Sequence, residues 1–357
     1  MKKRILRLAA CGLAFTMGAA SVEAAYQYNE NGYFAPPVEA THYWNNGEDT
    51  PPEDCTPTYV YSCPTGTFAI GGDWLYWKVS QEKMQIGAEV MASVVDGETF
   101  VRSSILTPKF KEQSGYRVFA DYITPDNWKI RTTFNHVPTK ASIANGVAPA
   151  NIMFDFISLF NTNFPLLSAI SSATFSSVAA KWDAHINYLD IDLSRKIDLC
   201  DNFQVTPHIG IRGLWIYQKF SISGIADGLT FTSAMRERIE GIGVEGGLWG
   251  SWSFAPGFSV FGNIGGAAIY AKVRNNGELI GTTDATSDIS YRDNSYISLP
   301  MLDSFIGVRY ESKIGKNDVV FHVAWEEHFI LSTNQFSIQG GGGMTLQGLT
   351  LGGCVRF

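Results

Sequence analysis

The sequence predicts an all-β protein, a transmembrane antiparallel β-barrel of ten to fourteen strands. Three features lead to this prediction. The chain begins with an export signal, it contains extended segments in which polar and apolar side chains alternate, and the links between these segments are short and long in turn. Such a chain is expected to have short periplasmic turns and long extracellular loops.

The export signal occupies the first 24 residues. Basic residues within positions 2–7 precede an apolar run over residues 8–20, and Val22, Glu23 and Ala24 form a small-x-Ala cleavage site. The apolar run is shorter than the roughly 20 residues that cross a bilayer as a helix. We therefore predict a signal peptide at 1–24, an irregular periplasmic segment at 25–66 and the barrel at 67–357.

The composition of the exported chain excludes two classes of protein. Cleavage leaves 23 of the 27 basic residues and 33 of the 34 acidic residues, a net charge of −10, which makes nucleic acid an unsuitable partner. No remaining stretch approaches the roughly 18 uninterrupted apolar residues of a helical membrane span. The charged fraction of 17% is low for a soluble protein, so outer-membrane lipid is the expected surrounding.

The alternating segments predict ten strands. The clearest is 128–135, in which apolar residues or Thr occupy every even position, and the turn 124–127 joins it to 116–122. In the segment 182–193 the apolar phase shifts by one residue at Leu189, which predicts a β-bulge there. The other predicted strands are 68–79, 203–212, 242–254, 258–264, 302–311, 321–328 and 346–357.

The links between the strands alternate in length. Short turns lie near residues 125, 200, 256 and 316, and long links cover 80–114, 137–180, 219–238, 273–299 and 330–345. This asymmetry is typical of an outer-membrane barrel. The part of the second long link at 143–180 is too apolar for an ordinary exposed loop. It predicts a segment that folds inward as a constriction or packs on the rim, with a helix or another strand pair as equal alternatives.

Aromatic residues give a second indication of a membrane. They lie mostly near the ends of the predicted strands, where the girdles of a membrane barrel are found. The alternative is that they form the core of a soluble β-sandwich. The residues are Trp74, Tyr76, Trp77, Trp128, Trp182, Tyr188, Trp215, Tyr217, Trp252, Tyr270 and Trp325.

Several short motifs resemble one protein family. The terminal run 349–357 alternates up to a carboxy-terminal Phe357 and resembles the strand by which outer-membrane barrels are recognised for assembly. Residues 71–78 (GGDWLYWK), 189–195 (LDIDLSR) and 206–213 (TPHIGIRG) resemble the Legionella major outer membrane protein family, which also has porin-like members in chlamydia-related bacteria. The resemblance implies a barrel that forms a pore, high abundance and disulfide cross-linking in the envelope.

Charged residues on the polar faces of the strands are the predicted pore lining. A water-filled lumen lined equally by both signs would pass small hydrophilic solutes and ions with weak selectivity, as a porin does. The alternative is that the charges pair and close the lumen, leaving a structural or adhesive surface protein. The residues are Asp73, Arg117, Asp121, Lys129, Arg131, Lys181, Asp183, Arg212, Glu245, Asp303, Arg309, Glu311, Glu326 and Arg356.

No catalytic or metal site is predicted. His322, Glu326 and His328 share one strand face, but residues two apart on a strand are separated by about 6.6 Å and converge poorly on one ion. No Ser, His and acid set has the spacing of a hydrolase. We therefore expect neither an enzyme nor a cofactor.

Four cysteines remain after export, and all map to the periplasmic side of the predicted topology. Cys55 and Cys63 are close in sequence and predict an intrachain disulfide in an oxidising compartment. Cys200 and Cys354 are available to each other or to neighbouring molecules, and two inert thiols are an equal alternative. The expected partners are a second copy of the chain or disulfide-linked envelope proteins.

Overall fold

The computed structural model describes residues 66–84, 87–95, 98–145, 151–153, 174–200, 202–226, 229–281, 289–334 and 342–357. No helix within these ranges is long and apolar enough to cross a membrane. The predicted signal peptide, the periplasmic segment with Cys55 and Cys63, and residues 146–150 and 154–173 of the apolar link lie outside the described residues.

Fifteen strands occupy the described part of the chain. They are β1 (Thr67–Gln81), β2 (Gly87–Val95), β3 (Glu98–Leu106), β4 (Lys109–Phe110), β5 (Glu112–Ile123), β6 (Trp128–Asn145), β7 (Asn151–Met153), β8 (Thr174–Arg195), β9 (Ile197–Cys200), β10 (Phe203–Ala226), β11 (Leu229–Ala255), β12 (Phe258–Gly281), β13 (Ile289–Ile314), β14 (Asn317–Asn334) and β15 (Gly342–Arg356).

Ten of these strands form a closed antiparallel barrel. Their order is β1, β5, β6, β8, β10, β11, β12, β13, β14 and β15, and β15 pairs with β1 to close the ring. The remaining strands are short additions, with β2, β3 and β7 continuing from β8, β4 pairing with β6, and β9 pairing with β10. Because the barrel is closed, the backbone N–H and C=O groups that an open sheet edge would leave unpaired in lipid form hydrogen bonds. The predicted fold class is confirmed.

The tight turns gather at one end of the barrel. The turn at 124–127 places Asn127 at a φ of 64°, and the turn between β11 and β12 places Gly257 at a φ of 77°, a conformation that favours glycine. At the same end the amide of Phe357 donates a hydrogen bond to the carbonyl of Phe68. By the rule of short periplasmic turns, this is the periplasmic end.

The strands are much longer than a membrane requires. About 9–11 residues of a tilted strand cross the hydrocarbon layer, whereas β10 has 24 residues, β11 has 27 and β13 has 26. The additional residues lie toward the end opposite the tight turns. The barrel wall therefore continues beyond the membrane on the extracellular side.

The apolar face changes sides along the wall, and β10 shows the change most clearly. Near the periplasmic end its apolar side chains point outward, as for Ile209 and Ile211, which are 66% and 54% exposed. Further along, Ile216 and Phe220 point inward and are fully buried. The first arrangement suits a wall surrounded by lipid and the second suits a wall surrounded by water.

This change of sides explains the phase shift in the sequence at Leu189. The predicted bulge there is wrong, because β8 pairs without interruption through Leu189 with both β6 and β10. The irregularity in the pairing of β8 with β10 lies instead between Ile225 and Ala226. The strand keeps its geometry, and what changes at Leu189 is the surrounding medium.

Two predicted pore-lining residues lie on the outer surface. Trp182 and Ala184 point inward, so their neighbours Lys181 and Asp183 point outward and pair with each other at 3.2 Å. Their assignment to the lumen is therefore wrong. It assumed that apolar side chains face lipid along the whole of β8, which fails in the extracellular part of the barrel.

Three aromatic residues expected near a membrane interface are also interior. Trp77, Trp182 and Tyr188 are at most 2% exposed. The other eight of that set, such as Trp215 and Trp325, have outward-facing side chains with large exposed fractions. Aromatic residues therefore serve both as an outer girdle and as internal packing in this barrel.

Candidate functional site

The periplasmic half of the lumen contains a cavity of about 1000 Å³. Its mouth lies among the tight turns, where Asn127, Lys196, Asn202 and Pro256 contribute to the lining. Apart from Lys181 and Asp183, all the charged residues predicted to line a pore are on its walls. They are Asp73, Arg117, Asp121, Lys129, Arg131, Arg212, Glu245, Asp303, Arg309, Glu311, Glu326 and Arg356.

Arg212 organises one half of the inner end of this cavity. Its guanidinium group lies 2.8 Å from Asp190, 2.6 Å from Glu245 and 2.6 Å from Asp303, and all four side chains are buried. The three carboxylates surround the guanidinium group, so that Nε, Nη1 and Nη2 each lie against a carboxylate oxygen. Asp190 was not among the predicted residues, although the unbroken two-residue alternation of β8 places it on the same face as Tyr188.

Arg117 organises the other half. It donates hydrogen bonds to Asp73 at 3.1 Å, to both carboxylate oxygens of Glu326 at 2.9 and 2.6 Å, and to Asn135 at 2.6 Å. Geometry of this kind, with two parallel hydrogen bonds to one carboxylate, is the strongest that arginine makes.

His328 connects the two halves. Its Nδ1 lies 2.7 Å from Asp303 and its Nε2 lies 3.3 Å from Glu326, so one imidazole ring joins the partners of both arginines. We call the connected set the charge layer. It consists of Asp73, Arg117, Asp190, Arg212, Glu245, Asp303, Glu326 and His328.

A packed apolar core fills the lumen on the extracellular side of the charge layer. Every barrel strand except β5 contributes to it. We call this core the hydrophobic plug. Its fully buried members include Leu75, Trp77, Val79, Trp182, Ile186, Leu214, Ile216, Phe220, Ile222, Ile239, Ile269, Val273, Leu299 and Leu346. A buried polar cluster lies among these side chains, in which Gln218 donates to Glu237 and Gln81 donates to Thr333. Side chains buried to this degree leave little space for water between them.

Aromatic rings join the hydrophobic plug to the charge layer. The guanidinium carbon of Arg117 lies 5.7 Å from the ring centroid of Trp77, and that of Arg212 lies 5.1 Å from Tyr188. The buried indole groups have partners, since Trp77 Nε1 donates to Thr350 and Trp182 Nε1 donates to Gln218. Cation–π contacts therefore join the charged part of the interior to the apolar part.

The walls of the cavity carry cations set among aromatic rings. Arg131 makes two hydrogen bonds to Asp121 and lies 4.6 Å from the ring of Phe119. Lys129 lies 5.7 Å from the ring of Trp249 and forms no salt bridge within the part of the chain that the structure describes. The cavity is thus a polar, partly aromatic recess that is open to the periplasm and ends at the charge layer.

The histidines considered as metal ligands have other partners. His322 Nε2 lies 3.2 Å from Asp73, and His328 is held in the charge layer. Among the described residues, no group of three or more His, Cys, Asp or Glu side chains is arranged to hold a metal ion. Both histidines are therefore held by carboxylates of the lumen wall.

Two of the four exported cysteines can be placed. Cys200 is exposed at the end of β9, Cys354 lines the cavity, and both are free thiols. A disulfide between them is therefore not formed in this structure. Cross-linking through either residue to a neighbouring molecule stays a prediction.

These positions predict different thiol reactivities. In a variant with Cys55→Ser and Cys63→Ser, a bulky maleimide should modify Cys200 at least about tenfold faster than Cys354, because access and thiolate character control the rate. Mass spectrometry of timed samples measures both rates. Equal rates would contradict the placement of Cys354 inside the lumen, and the denatured chain provides the control in which both thiols react alike.

The sequence as a whole matches one protein family. The family described as the Legionella pneumophila major outer membrane protein precursor matches residues 60–351, most of the chain. This chain belongs to that family. It is therefore an integral outer-membrane protein, as the sequence motifs predicted. No curated protein is significantly similar to it.

Solved structures of other outer-membrane proteins are similar at low identity. The outer membrane protease OmpT from Escherichia coli has 11% identity and a TM-score of 0.39, with 82% of this chain and 96% of that chain covered. OprG from Pseudomonas aeruginosa has 11% identity and a TM-score of 0.29, with the same coverage. A major outer membrane protein from Thermus thermophilus has 11% identity and a TM-score of 0.28, with 82% and 99% covered. Similarity at this level gives no argument about activity.

Proposed function

We propose that this member of the major outer membrane protein family is a structural surface protein whose barrel is closed to solutes. The observation that carries the proposal is the hydrophobic plug. It fills the lumen between the cavity and the extracellular side with side chains such as Trp77, Trp182 and Phe220, which are fully buried. This is the alternative that the sequence left open beside a porin.

A largely apolar layer of buried side chains is a high barrier for a hydrophilic solute. Entry requires the solute to lose its hydration without gaining hydrogen bonds, and the cost grows steeply for ions. Moving a buried indole or phenyl group aside would also expose on the order of 150–250 Å² of its surface. Neither cost is offset by the paired carboxylates and guanidinium groups of the charge layer, which already bind one another.

The extracellular extension of the barrel supports a role at the cell surface. Strands β10, β11 and β13 continue past the apolar belt, so that only residues 227–228 join β10 to β11, and the long connections join β1 to β5 and β6 to β8. A wall with a packed core and a polar outer face is rigid without lipid around it. It is therefore suited to present the connecting segments at a fixed distance from the membrane.

Conductance across a planar lipid bilayer tests the proposal. The folded full-length protein should give no stepwise conductance, whereas a general porin added under the same salt and voltage gives steps. A shift of mobility on heating in SDS gels verifies that the sample is folded. Stable conductance that rises with the amount of inserted protein would overturn the closed barrel and favour passive diffusion, the function that the family resemblance implies.

A further inference from the structure

A basic strip lies on the outer surface of the barrel just beyond the apolar belt. Its residues lie on the adjacent strands β10, β11 and β12 and point outward, because the residues on either side of each one are buried in the interior. The members of the strip are Lys219, Arg236, Arg238, Lys272 and Arg274. The cations of the strip lie on three neighbouring strands and face the same side.

The strip lies at the height along the barrel wall where lipid headgroups are expected. Tyr270 and Tyr296 stack on each other outside the barrel with ring centroids 5.6 Å apart, and Tyr217 is 43% exposed on β10. Outward-facing tyrosines of this kind mark the boundary of the hydrocarbon layer. Lys272 follows Tyr270 by two residues and lies 5.7 Å from the ring of Tyr296. The strip therefore begins where the hydrocarbon ends, on the extracellular side.

Like charges oppose each other directly within the strip. Lys219 is the cross-strand partner of Arg236, and Arg238 is the cross-strand partner of Arg274. Like charges at directly opposed positions destabilise a sheet. One carboxylate intervenes, since Glu240 lies 2.7 Å from Arg238 and 3.2 Å from Arg274.

The carboxylate does not neutralise the strip. Five cations against Glu240 and Glu278, an exposed diagonal neighbour of Arg236 on β12, leave an excess of three positive charges, and neither Lys219 nor Arg236 forms an ion pair within the described ranges. Asp183, the cross-strand neighbour of Lys219 on β8, is paired with Lys181 instead. A sheet that keeps this repulsion is stabilised by an external anion.

We infer that the basic strip docks the phosphate groups of an anionic glycolipid in the outer leaflet. Guanidinium groups bind phosphate oxygens through two parallel hydrogen bonds, and exposed basic residues next to a membrane attract anionic headgroups. The acyl chains of the same lipid would lie against the apolar belt below the strip, where Ile242 and Val244 face outward on β11. The inference is independent of whether the lumen conducts.

Binding of lipid A in bicelles tests the inference. The folded full-length protein in phosphatidylcholine bicelles is titrated with diphosphoryl lipid A, and binding is followed by fluorescence of labelled lipid. The variant R236Q/R238Q/R274Q should bind on the order of 100-fold more weakly, since each basic residue near the surface contributes about a factor of five. Removal of the lipid phosphates should weaken binding to the wild type by a similar factor.

The control removes the same number of charges at a comparable level elsewhere on the wall. Lys78 lies on β1, Lys109 on β4 and Lys111 between β4 and β5, away from the strip in the order of the strands, and K78Q/K109Q/K111Q should change binding by less than about threefold. The variant R236K/R238K/R274K keeps the charge and should bind more tightly than the glutamine variant. Equal loss in the control variant would overturn the inference, as would equal affinity of the lysine and glutamine variants or displacement of lipid A by inorganic phosphate.

Discussion

Replacement of Arg212 by methionine should destabilise the barrel by about 3–5 kcal/mol. The substitution keeps an unbranched stem but removes the guanidinium group, and it leaves the buried Asp190, Glu245 and Asp303 without their shared cation. Uncompensated buried carboxylates are costly because desolvation is no longer balanced by attraction. Equilibrium unfolding by guanidinium chloride in lipid vesicles, followed by tryptophan fluorescence, measures the loss.

A matched control uses an arginine on the outer surface. Arg238 pairs with Glu240 at 2.7 Å, but its side chain is 58% exposed. Exposed ion pairs contribute about 0–1 kcal/mol, so Arg238→Met should leave the free energy of unfolding within about 1 kcal/mol of the wild type. A loss of less than about 1 kcal/mol for Arg212→Met would show that the charge layer is solvated.

The second large effect is expected from Ile216→Lys, which places a charge in the hydrophobic plug. Ile216 is 1% exposed on the inner face of β10. The nearest interior carboxylate along the sheet is Glu237, a diagonal neighbour on β11 that already accepts a hydrogen bond from Gln218. Burying the ammonium group should therefore lower the free energy of unfolding by about 3 kcal/mol. In an open, water-filled lumen the same lysine would be tolerated, and this experiment therefore separates a closed barrel from a pore without a conductance measurement.

Its control lies on the same strand. Ser223 is on the outer face of β10 beyond the apolar belt, between the cross-strand neighbours Thr232 and Ala179. Ser223→Lys should change the free energy of unfolding by about 0.5 kcal/mol at most. If both lysines were tolerated equally, the hydrophobic plug would not exist as described.

The number and approximate position of the barrel strands were predictable because period-two alternation is local. Segments such as 128–135 keep one apolar face over their whole length, and turns such as that at Gly257 carry their own sequence signals. The lengths of the strands were underestimated. In β11 the alternation continues through residues 233–241, but with the apolar residues on the other face, and such a segment was assigned to a link.

The composition of the site was less predictable, because the side of the wall that is apolar depends on the medium. For β8 the rule that apolar residues face lipid gave Lys181 and Asp183 as lumen residues, and it missed Asp190. An uninterrupted two-residue count from Asp190 back to Trp182 would have placed both on one face. His328 contacts Asp303 and Glu326, which are the partners of Arg212 and Arg117. These contacts depend on the pairing of strands that are far apart in sequence, and no local sequence pattern predicts that pairing.

The reversal of the apolar face along the wall also fixes where solubilising agents can attach. A strand of 27 residues with a rise of about 3.3 Å per residue and a tilt of about 40° makes a wall on the order of 70 Å tall. An apolar band of about 25 Å covers little more than a third of that height. A detergent collar therefore surrounds one end of the barrel and leaves roughly 40 Å of its wall uncovered at the other, so the midpoint of the barrel wall lies away from the midplane of the membrane, toward the exterior of the cell.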